Sequence, residues 1–238
     1  MSVQLLLVAG LIMLAGALVQ GVVGYGLNLL AGPLMALIDP ALVPVPLLLV
    51  ACGNAVMSAT RERGHIEWRN VWWALGGRIP GNILGVLAIA LLPARGFNLA
   101  VGLSVLVCVG LSLITWTPKL NRHSLVVAGT ASGAFGTTSA IGGPPIALLY
   151  QNEEGPTVRA TLGVYFLLSS VSSLVTLLVV GEVKVEHLWI ALLLVPFMAV
   201  GFLLSSPLRK FVEGPRLRTG ILAVAGLAAV VLVGKSVL

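Results

Sequence analysis

Apolar runs long enough to cross a bilayer follow one another along almost the whole chain. A membrane-spanning helix needs about 20 predominantly apolar residues, with a range of about 17–25. The apolar runs of this sequence lie at 3–23, 26–38, 41–60, 71–92, 97–116, 124–150, 160–180, 187–205 and 217–237. Most fall within that range, but 26–38 is too short, and 124–150 is too long and is broken by Gly and Pro. The pattern predicts an all-α, polytopic integral membrane protein.

The composition excludes a soluble globule, because 58% of the residues are hydrophobic and only 9% are charged. Soluble domains carry about 25% charged residues. The net charge of +6 does not indicate nucleic-acid binding, since the basic residues separate the apolar runs and form no continuous patch. The lipid bilayer is therefore the first predicted partner. Cys52 and Cys108 lie inside apolar runs without metal-ligand spacing, so no disulfide, metal or cofactor is predicted.

The distribution of Lys and Arg predicts how the chain crosses the membrane. Basic residues concentrate in the loops 61–70, 117–123 and 206–218, whereas 93–96 and 181–187 carry few. The positive-inside rule places the first three loops in the cytoplasm and the other two outside. No Lys or Arg precedes the first run, so it is interpreted as a membrane segment of a multi-pass protein of the inner or plasma membrane, with an external N-terminus.

An internal repeat divides the chain into two halves, 1–118 and 119–238, within one transmembrane domain. A shift of 112 residues aligns Gly21, Gly24 and Pro33 with Gly133, Gly136 and Pro145. Loops that are equivalent in the two halves fall on opposite sides of the membrane, as in the inverted repeats of many secondary transporters. Inversion requires an odd number of crossings in each half. Either one broken segment is re-entrant, or the short piece crosses at a steep angle.

The Gly- and Pro-rich segment of each half is the predicted substrate site. Irregular backbone at membrane depth persists only where it is buried in protein or lines a polar cavity. Pro33 and Pro145 are predicted to begin half-helices, whose N-terminal N–H groups favour an anion. The candidate residues are Gly24, Tyr25, Gly26 and Asn28 in the first half and Gly136, Thr137, Thr138, Ser139, Gly142, Gly143 and Pro144 in the second. The alternative interpretation is that the glycines only allow close helix packing.

Two polar side chains inside other runs are further candidates. Arg78 is the one charge well inside a predicted span, where it can bind an anion or extend its side chain to the cytoplasmic surface. Asn54 can contact substrate or form a hydrogen bond between helices. No carboxylate lies deep in a predicted span, so a proton relay through intramembrane Asp or Glu finds no support.

These features together resemble the TauE/SafE sulfite exporter family over nearly the whole chain. The resemblance is carried by the paired broken segments, the loop Gly64-His65-Ile66-Glu67-Trp68-Arg69, the pattern Pro80-Gly81-x-x-x-Gly85, and Gly142-Gly143-Pro144-Pro145 followed by Tyr150. It implies a multi-pass permease for sulfite, organosulfonates or other small organic anions. The first-half stretch Tyr25-Gly26-Leu27-Asn28 departs from the family's commoner Gly-Gly-Gly-type run, so the resemblance does not specify the substrate.

The sequence thus predicts a secondary transporter that binds a small anion between the two broken segments and works by alternating access. An anion channel would share every feature of this site. A membrane-embedded enzyme is the other alternative, and its only candidate cluster, Glu62, His65 and Glu67, lacks a nucleophile and metal spacing. The sequence allows a coupling proton or sodium ion and a homodimer, and it selects none of these.

Overall fold

The structure is a computed structural model that describes residues 3–61, 63–113, 118–212 and 215–237. These residues form helices joined by short links, and no strand occurs among them, which confirms the all-α prediction. The first five helices are α1 (Val3–Val23), α2 (Leu27–Ile38), α3 (Val45–Arg61), α4 (Trp68–Leu91) and α5 (Ala94–Leu113). The next five are α6 (Arg122–Ser139), α7 (Gly143–Ala147), α8 (Gly155–Val179), α9 (Val185–Val212) and α10 (Pro215–Val237). Residue 62 and parts of the loops 117–123 and 206–218, which the charge pattern places in the cytoplasm, lie outside the described residues.

Within the part of the chain that the structure describes, five helical segments are long and apolar enough to cross a bilayer. They are Val3–Val23, Pro40–Arg61, Trp68–Leu91, Gly155–Val179 and Val185–Leu208. Their outward faces remain apolar: on α4, Ile79, Ile83 and Leu87 are exposed at four-residue spacing. An exposed apolar stripe of this kind is suited to contact with the acyl chains of lipids. The chain is therefore a multi-pass membrane protein, as its apolar runs predict.

Glycines allow α4 and α6 to pack with their backbones almost in contact. A Cβ atom at Gly81 would lie 2.9 Å from Cα of Gly133 and closer still to the carbonyl oxygen of Thr130. The same is true one turn earlier, where a Cβ at Gly77 would meet the carbonyl of Val126. Such close approach through small residues is how membrane helices gain packing contacts where lipid offers no hydrophobic driving force.

The pair α1 and α9 packs in a similar way. A Cβ at Gly201 of α9 would meet the carbonyl of Leu14, and one at Gly10 of α1 would lie 2.6 Å from the ring of Phe197. Two further pairs, α3 with α8 and α5 with α10, complete the main packing. The short helices α2 and α7 lie inside this arrangement, α2 against α1, α5 and α10, and α7 against α5, α6 and α8.

Two helix breaks direct the chain into the interior. Gly24 and Gly26 adopt φ values of 98° and 125°, which L side chains rarely adopt, so α1 ends and α2 begins at Leu27. The prediction that a helix begins at Pro33 is wrong, because Pro33 lies inside α2 and the break is made by the glycines before it. In the second half, α6 ends at Ser139, and α7 begins at Gly143, two residues before Pro145.

The close packing of α4 on α6 makes a prediction about two neighbouring glycines. We expect Gly81→Ala to lower stability by about 1–3 kcal/mol, because the added methyl group overpacks against Thr130 and Gly133. Gly76→Ala, on the same helix, meets nothing within 4 Å and is the matched control. Thermal unfolding of the purified proteins in detergent measures both, and equal melting temperatures would contradict the packing described here.

Candidate functional site

A cavity lies between the two helix breaks, enclosed by α1, α2, α3, α4, α6, α7 and α8. We call it the central cavity. Its lining residues are Gln20, Gly26, Asn28, Leu29, Leu48, Ala51, Arg78, Gly136, Ala140, Gly142, Gly143, Pro144, Phe166, Ser169 and Ser170. Its free volume is about 40 Å³, and about 10–15 Å³ suffices for one water molecule. The space suits a few waters or one compact solute.

The N-terminus of α2 faces this cavity. Its backbone ladder begins where the Leu30 amide donates to the Gly26 carbonyl at 3.0 Å. The Leu27 amide instead donates to Oε1 of Gln20 at 3.2 Å, which holds the start of α2 against α1. The amides of Asn28 and Leu29 have no acceptor within the helix, as for any first turn, and both residues line the cavity. This end of the helix dipole is positive and favours negative charge.

A hydrogen bond from Asn28 joins the two breaks. Nδ2 of Asn28 donates to the carbonyl oxygen of Ala140 at 2.7 Å. The carbonyl accepts only, so the bond fixes which end of the Asn28 amide faces the second break. Oδ1 of Asn28 is buried and has no hydrogen-bond partner. Asn28 therefore links the two broken segments, and its Oδ1 atom remains an acceptor without a partner.

Arg78 brings a buried positive charge to the cavity wall. Arg78 is only 2% exposed, so its side chain is buried and does not extend to the membrane surface. Nη1 donates to the carbonyl oxygen of Ser132 at 3.0 Å and to its Oγ at 2.9 Å, and Nη2 donates to Oγ of Ser173 at 2.8 Å. Nε is buried without a partner. These bonds occupy at most three of the five guanidinium N–H donors, so at least two form no hydrogen bond.

Neighbouring hydroxyl groups hold this guanidinium in place. Ser132 Oγ accepts from the Tyr165 hydroxyl at 2.8 Å and donates to the Gly142 carbonyl at 2.6 Å, which ties Arg78 to the second helix break. Oγ of Ser173 lies 2.8 Å from the hydroxyl of Thr137. The chain thus supplies neutral hydrogen-bond partners to Arg78, and no Asp or Glu lines the cavity.

The structure gathers part of the predicted site around the cavity. The predicted residues that line it are Gly26, Asn28, Arg78, Gly136, Gly142, Gly143 and Pro144. They come from both broken segments and from α4. Residues from the two halves of the chain, far apart in sequence, therefore share one enclosed space.

The predicted hydroxyl donors point elsewhere. Thr137 contacts Ser173 behind Arg78 and donates to Oδ1 of Asn82 at 3.1 Å. The hydroxyls of Thr138 and Ser139 donate to carbonyl oxygens one turn earlier in α6, at 2.7 and 2.8 Å. Thr138 also lines a separate apolar groove between α4, α5 and α6.

The remaining predicted residues surround the cavity without lining it. Asn54 is fully buried in α3, and neither polar atom of its side chain has a hydrogen-bond partner. Gly24 packs against Arg159 of α8. Tyr25 lines a larger, more open space of about 410 Å³, which we call the vestibule. Its other lining residues are Val23, Ala147, Tyr150, Gln151, Asn152, Glu153, Gly155 and Val158.

Several lining residues were not predicted, although the sequence carries a signal for some of them. Gln20 is a polar residue at the end of the first apolar run, one position before the glycine motif. Ser169 and Ser170 form a hydroxyl pair in the middle of the run 160–180. Polar residues inside otherwise apolar spans are candidates for an interior cavity. Phe166 and Leu48 are apolar, and no sequence signal distinguishes them from other core residues.

The described residues contain no group of three or more His, Cys, Asp or Glu side chains that could hold a metal ion.

A protein-family model for the sulfite exporter TauE/SafE matches residues 8–232. The chain belongs to the TauE/SafE family. No curated protein and no solved structure matches it. In this TauE/SafE member, the stretch Gly142-Gly143-Pro144 lies on the cavity wall, and Gly81 and Gly85 lie where α4 meets α6.

Two cavity glycines of this TauE/SafE protein differ in the space around them, which makes a prediction. A Cβ at Gly136 would lie 2.6 Å from Nη2 of Arg78, whereas one at Gly143 would meet nothing nearer than 3.5 Å. We expect Gly136→Ala to displace the guanidinium and lower stability by about 1–3 kcal/mol. Gly143→Ala is the control and should unfold as the wild type does. Equal melting temperatures of the two variants in detergent would contradict the described position of Arg78.

Proposed function

We propose that this family member is a secondary transporter for small sulfur-containing or organic anions, such as sulfite, sulfonates or related oxyanions. The observation that carries the proposal is the buried guanidinium of Arg78, which has N–H donors without a hydrogen-bond partner and lies in the wall of the central cavity. A charge within the bilayer is expensive unless it is paired. Because no carboxylate lines this cavity, an anionic substrate is the partner that completes the site.

The other polar groups of the cavity favour the same class of ligand. The unpaired amides of the α2 N-terminus add hydrogen-bond donors and a positive dipole end. Planar guanidinium groups and backbone amides both suit the oxygens of sulfite or a sulfonate. The small free volume favours a compact oxyanion over a bulky organic acid. We therefore place the substrate between Asn28 and Arg78.

The proposed architecture is an inverted repeat with two re-entrant hairpins. In a two-fold repeat, helices α1 to α5 correspond in order to α6 to α10. Exchanging the halves then converts the packed pair α1–α9 into the packed pair α6–α4 and leaves the pairs α3–α8 and α5–α10 unchanged. The observed packing therefore supports a two-fold relation. Helix α2 has 12 residues, about 18 Å at a rise of 1.5 Å per residue, and α7 is shorter. Neither spans a hydrocarbon core of about 30 Å. We propose that each returns to the side from which its hairpin entered.

This topology leaves three crossings in each half, with the N-terminus outside and the protein in the inner or plasma membrane. The vestibule then opens to the cytoplasm, since Gln151 and Asn152 lie in the link that leads into α8. Tyr25 borders the vestibule and is adjacent to Gly26 of the central cavity. Substrate would pass between the vestibule and the central cavity at Tyr25 and would leave on the opposite side of the membrane by alternating access. Half-helices that meet near the midplane form the substrate site of other secondary transporters.

A transport assay distinguishes the carrier from the two alternatives. The purified protein is reconstituted in liposomes, and uptake of sulfite, methanesulfonate and acetate is followed with and without pH and sodium gradients. A carrier gives saturable flux and counter-transport, whereas a channel gives large voltage-driven conductance. Absence of flux for every anion would contradict the proposal. The enzyme alternative has little support, because Glu67 is engaged by Asn70, His65 is exposed and Glu62 lies outside the described residues.

Removal of the buried charge should abolish most of the anion affinity. We expect Arg78→Gln to weaken sulfite binding roughly tenfold to a hundredfold, because charged hydrogen bonds contribute about 1.5–3 kcal/mol each. Isothermal titration calorimetry on the purified protein measures the dissociation constant. Arg122→Gln, which removes an exposed charge at the start of α6, is the matched control. An unchanged sulfite affinity in Arg78→Gln would place the substrate elsewhere.

The inverted topology predicts which loops a reagent outside the cell can reach. In a background with Cys52→Ala and Cys108→Ala, single cysteines replace Gly64 and Glu182, both of which are exposed. We expect a membrane-impermeant maleimide to label Glu182→Cys in intact cells and Gly64→Cys only after permeabilisation. Labelling of both positions from the same side would require an even number of crossings between them and would exclude the inversion.

A further inference from the structure

The charges around the central cavity balance a monoanion and not a dianion. Among the described residues, Arg78 is the only charged one in its lining. The other polar lining side chains are Gln20, Asn28, Ser169 and Ser170, which do not titrate. A monoanion beside Arg78 leaves the site neutral, whereas a dianion leaves one negative charge buried without a counter-charge. An uncompensated buried charge is strongly disfavoured.

Titratable groups just behind the lining do not change this balance. The Tyr165 hydroxyl donates to Ser132, which holds Arg78, and the Cys52 thiol interacts with Ser170. A phenol and a thiol are neutral or negative, so neither can supply a second positive charge. The other elements that enclose the cavity contribute Leu29, Leu48, Ala51, Pro144 and Phe166, none of which ionises.

The hydrogen-bond groups of the cavity add a second constraint. The guanidinium of Arg78 and the first-turn amides of α2 are donors, which suits the oxygens of an anion. Oδ1 of Asn28 differs, since it accepts only and has no partner, and the bond from Nδ2 to Ala140 prevents the amide from turning over. Oε1 of Gln20, the other amide oxygen, already accepts from Leu27. A ligand that forms hydrogen bonds with both the guanidinium of Arg78 and Oδ1 of Asn28 must accept hydrogen bonds and also donate one.

We propose that the cavity takes its anion in a singly charged form, and that Oδ1 of Asn28 favours monoanions that carry an O–H group. Hydrogen sulfite is the member of this class among the proposed substrates, and the dianion sulfite is excluded. The inference rests on the proposed transport function and deepens it. Each hydrogen sulfite ion that crosses then brings a proton on its own oxygen, so proton movement with sulfite needs no carboxylate in the protein.

A calorimetric pH series tests the charge of the bound form. Sulfite and methanesulfonate are titrated into the purified wild-type protein at pH 6, 7, 8 and 9. Methanesulfonate shares the SO₃ group and stays a monoanion throughout, so it controls for titration of the protein. Hydrogen sulfite loses its proton near neutral pH, and the apparent affinity falls with the fraction of the competent form. We expect the dissociation constant for total sulfite to rise about tenfold per pH unit above that point, with no change for methanesulfonate.

The other outcomes of this series overturn the inference. A sulfite affinity that is constant or improves as pH rises means that the dianion binds. A parallel loss for sulfite and methanesulfonate means that the protein titrates, not the ligand. Absence of binding by either anion at every pH would remove the proposed function and this inference with it. If methanesulfonate binds and the affinity for sulfite does not change with pH, the inference about the charge of the bound form is wrong, but the proposed function is retained.

The acceptor role of Asn28 is tested with two planar monoanions of similar size, hydrogen carbonate and nitrate. Only hydrogen carbonate has an O–H donor. We expect the ratio of hydrogen carbonate affinity to nitrate affinity at pH 8 to fall several-fold in Asn28→Leu. Thr138→Val, whose hydroxyl points away from the cavity, should leave the ratio unchanged. A ratio that is the same in Asn28→Leu and wild type would overturn the acceptor role, and the pH series decides the charge even if this variant does not fold.

Discussion

Placing the charge of Arg78 in the middle of a bilayer-crossing helix costs several kcal/mol unless other groups replace the water that it loses. The protein replaces part of that water with Ser132 and Ser173, which accept hydrogen bonds from both terminal nitrogens. Neutral acceptors hold the guanidinium in position without neutralising it. The guanidinium therefore keeps its positive charge in the wall of the central cavity.

Close helix packing makes this arrangement possible. Gly136 gives Arg78 the space to lie flat against α6, because any side chain there would meet its Nη2 atom. Gly77 and Gly81 bring the backbone of α4 against that of α6, so that Ser132 is within reach of the guanidinium. Ser132 in turn holds the Gly142 carbonyl at the second break. The glycines that allow close packing of α4 on α6 therefore also position Arg78 and Ser132, so the packing interpretation of the glycine motifs is supported, and the substrate-site interpretation stays a prediction.

The sequence predicts the helices well, because apolar runs set their length and glycines set their ends. It is wrong about Pro33, since a proline in the second turn of a short helix looks the same in sequence as one that begins a helix. For the site, Arg78 and Asn28 stand out as polar residues inside apolar runs. The hydroxyls of Thr138 and Ser139 instead donate to carbonyl oxygens one turn earlier in α6. Such local bonds compete with a ligand for the hydroxyl proton, and the presence of Thr and Ser in the sequence does not show which partner they choose.

The closest helix pairs described above also determine which parts of the protein can move as rigid units. Helices α4 and α6 have almost no space between their backbones, and neither have α1 and α9. Each pair joins one helix from the first half of the chain to one from the second. A rocking motion that separated the two halves would have to open both contacts. In the proposed alternating-access mechanism, the moving bodies would therefore be composites, one built on α1 and α9 and one on α4 and α6. The boundary between them would not follow the predicted boundary between the two halves of the chain.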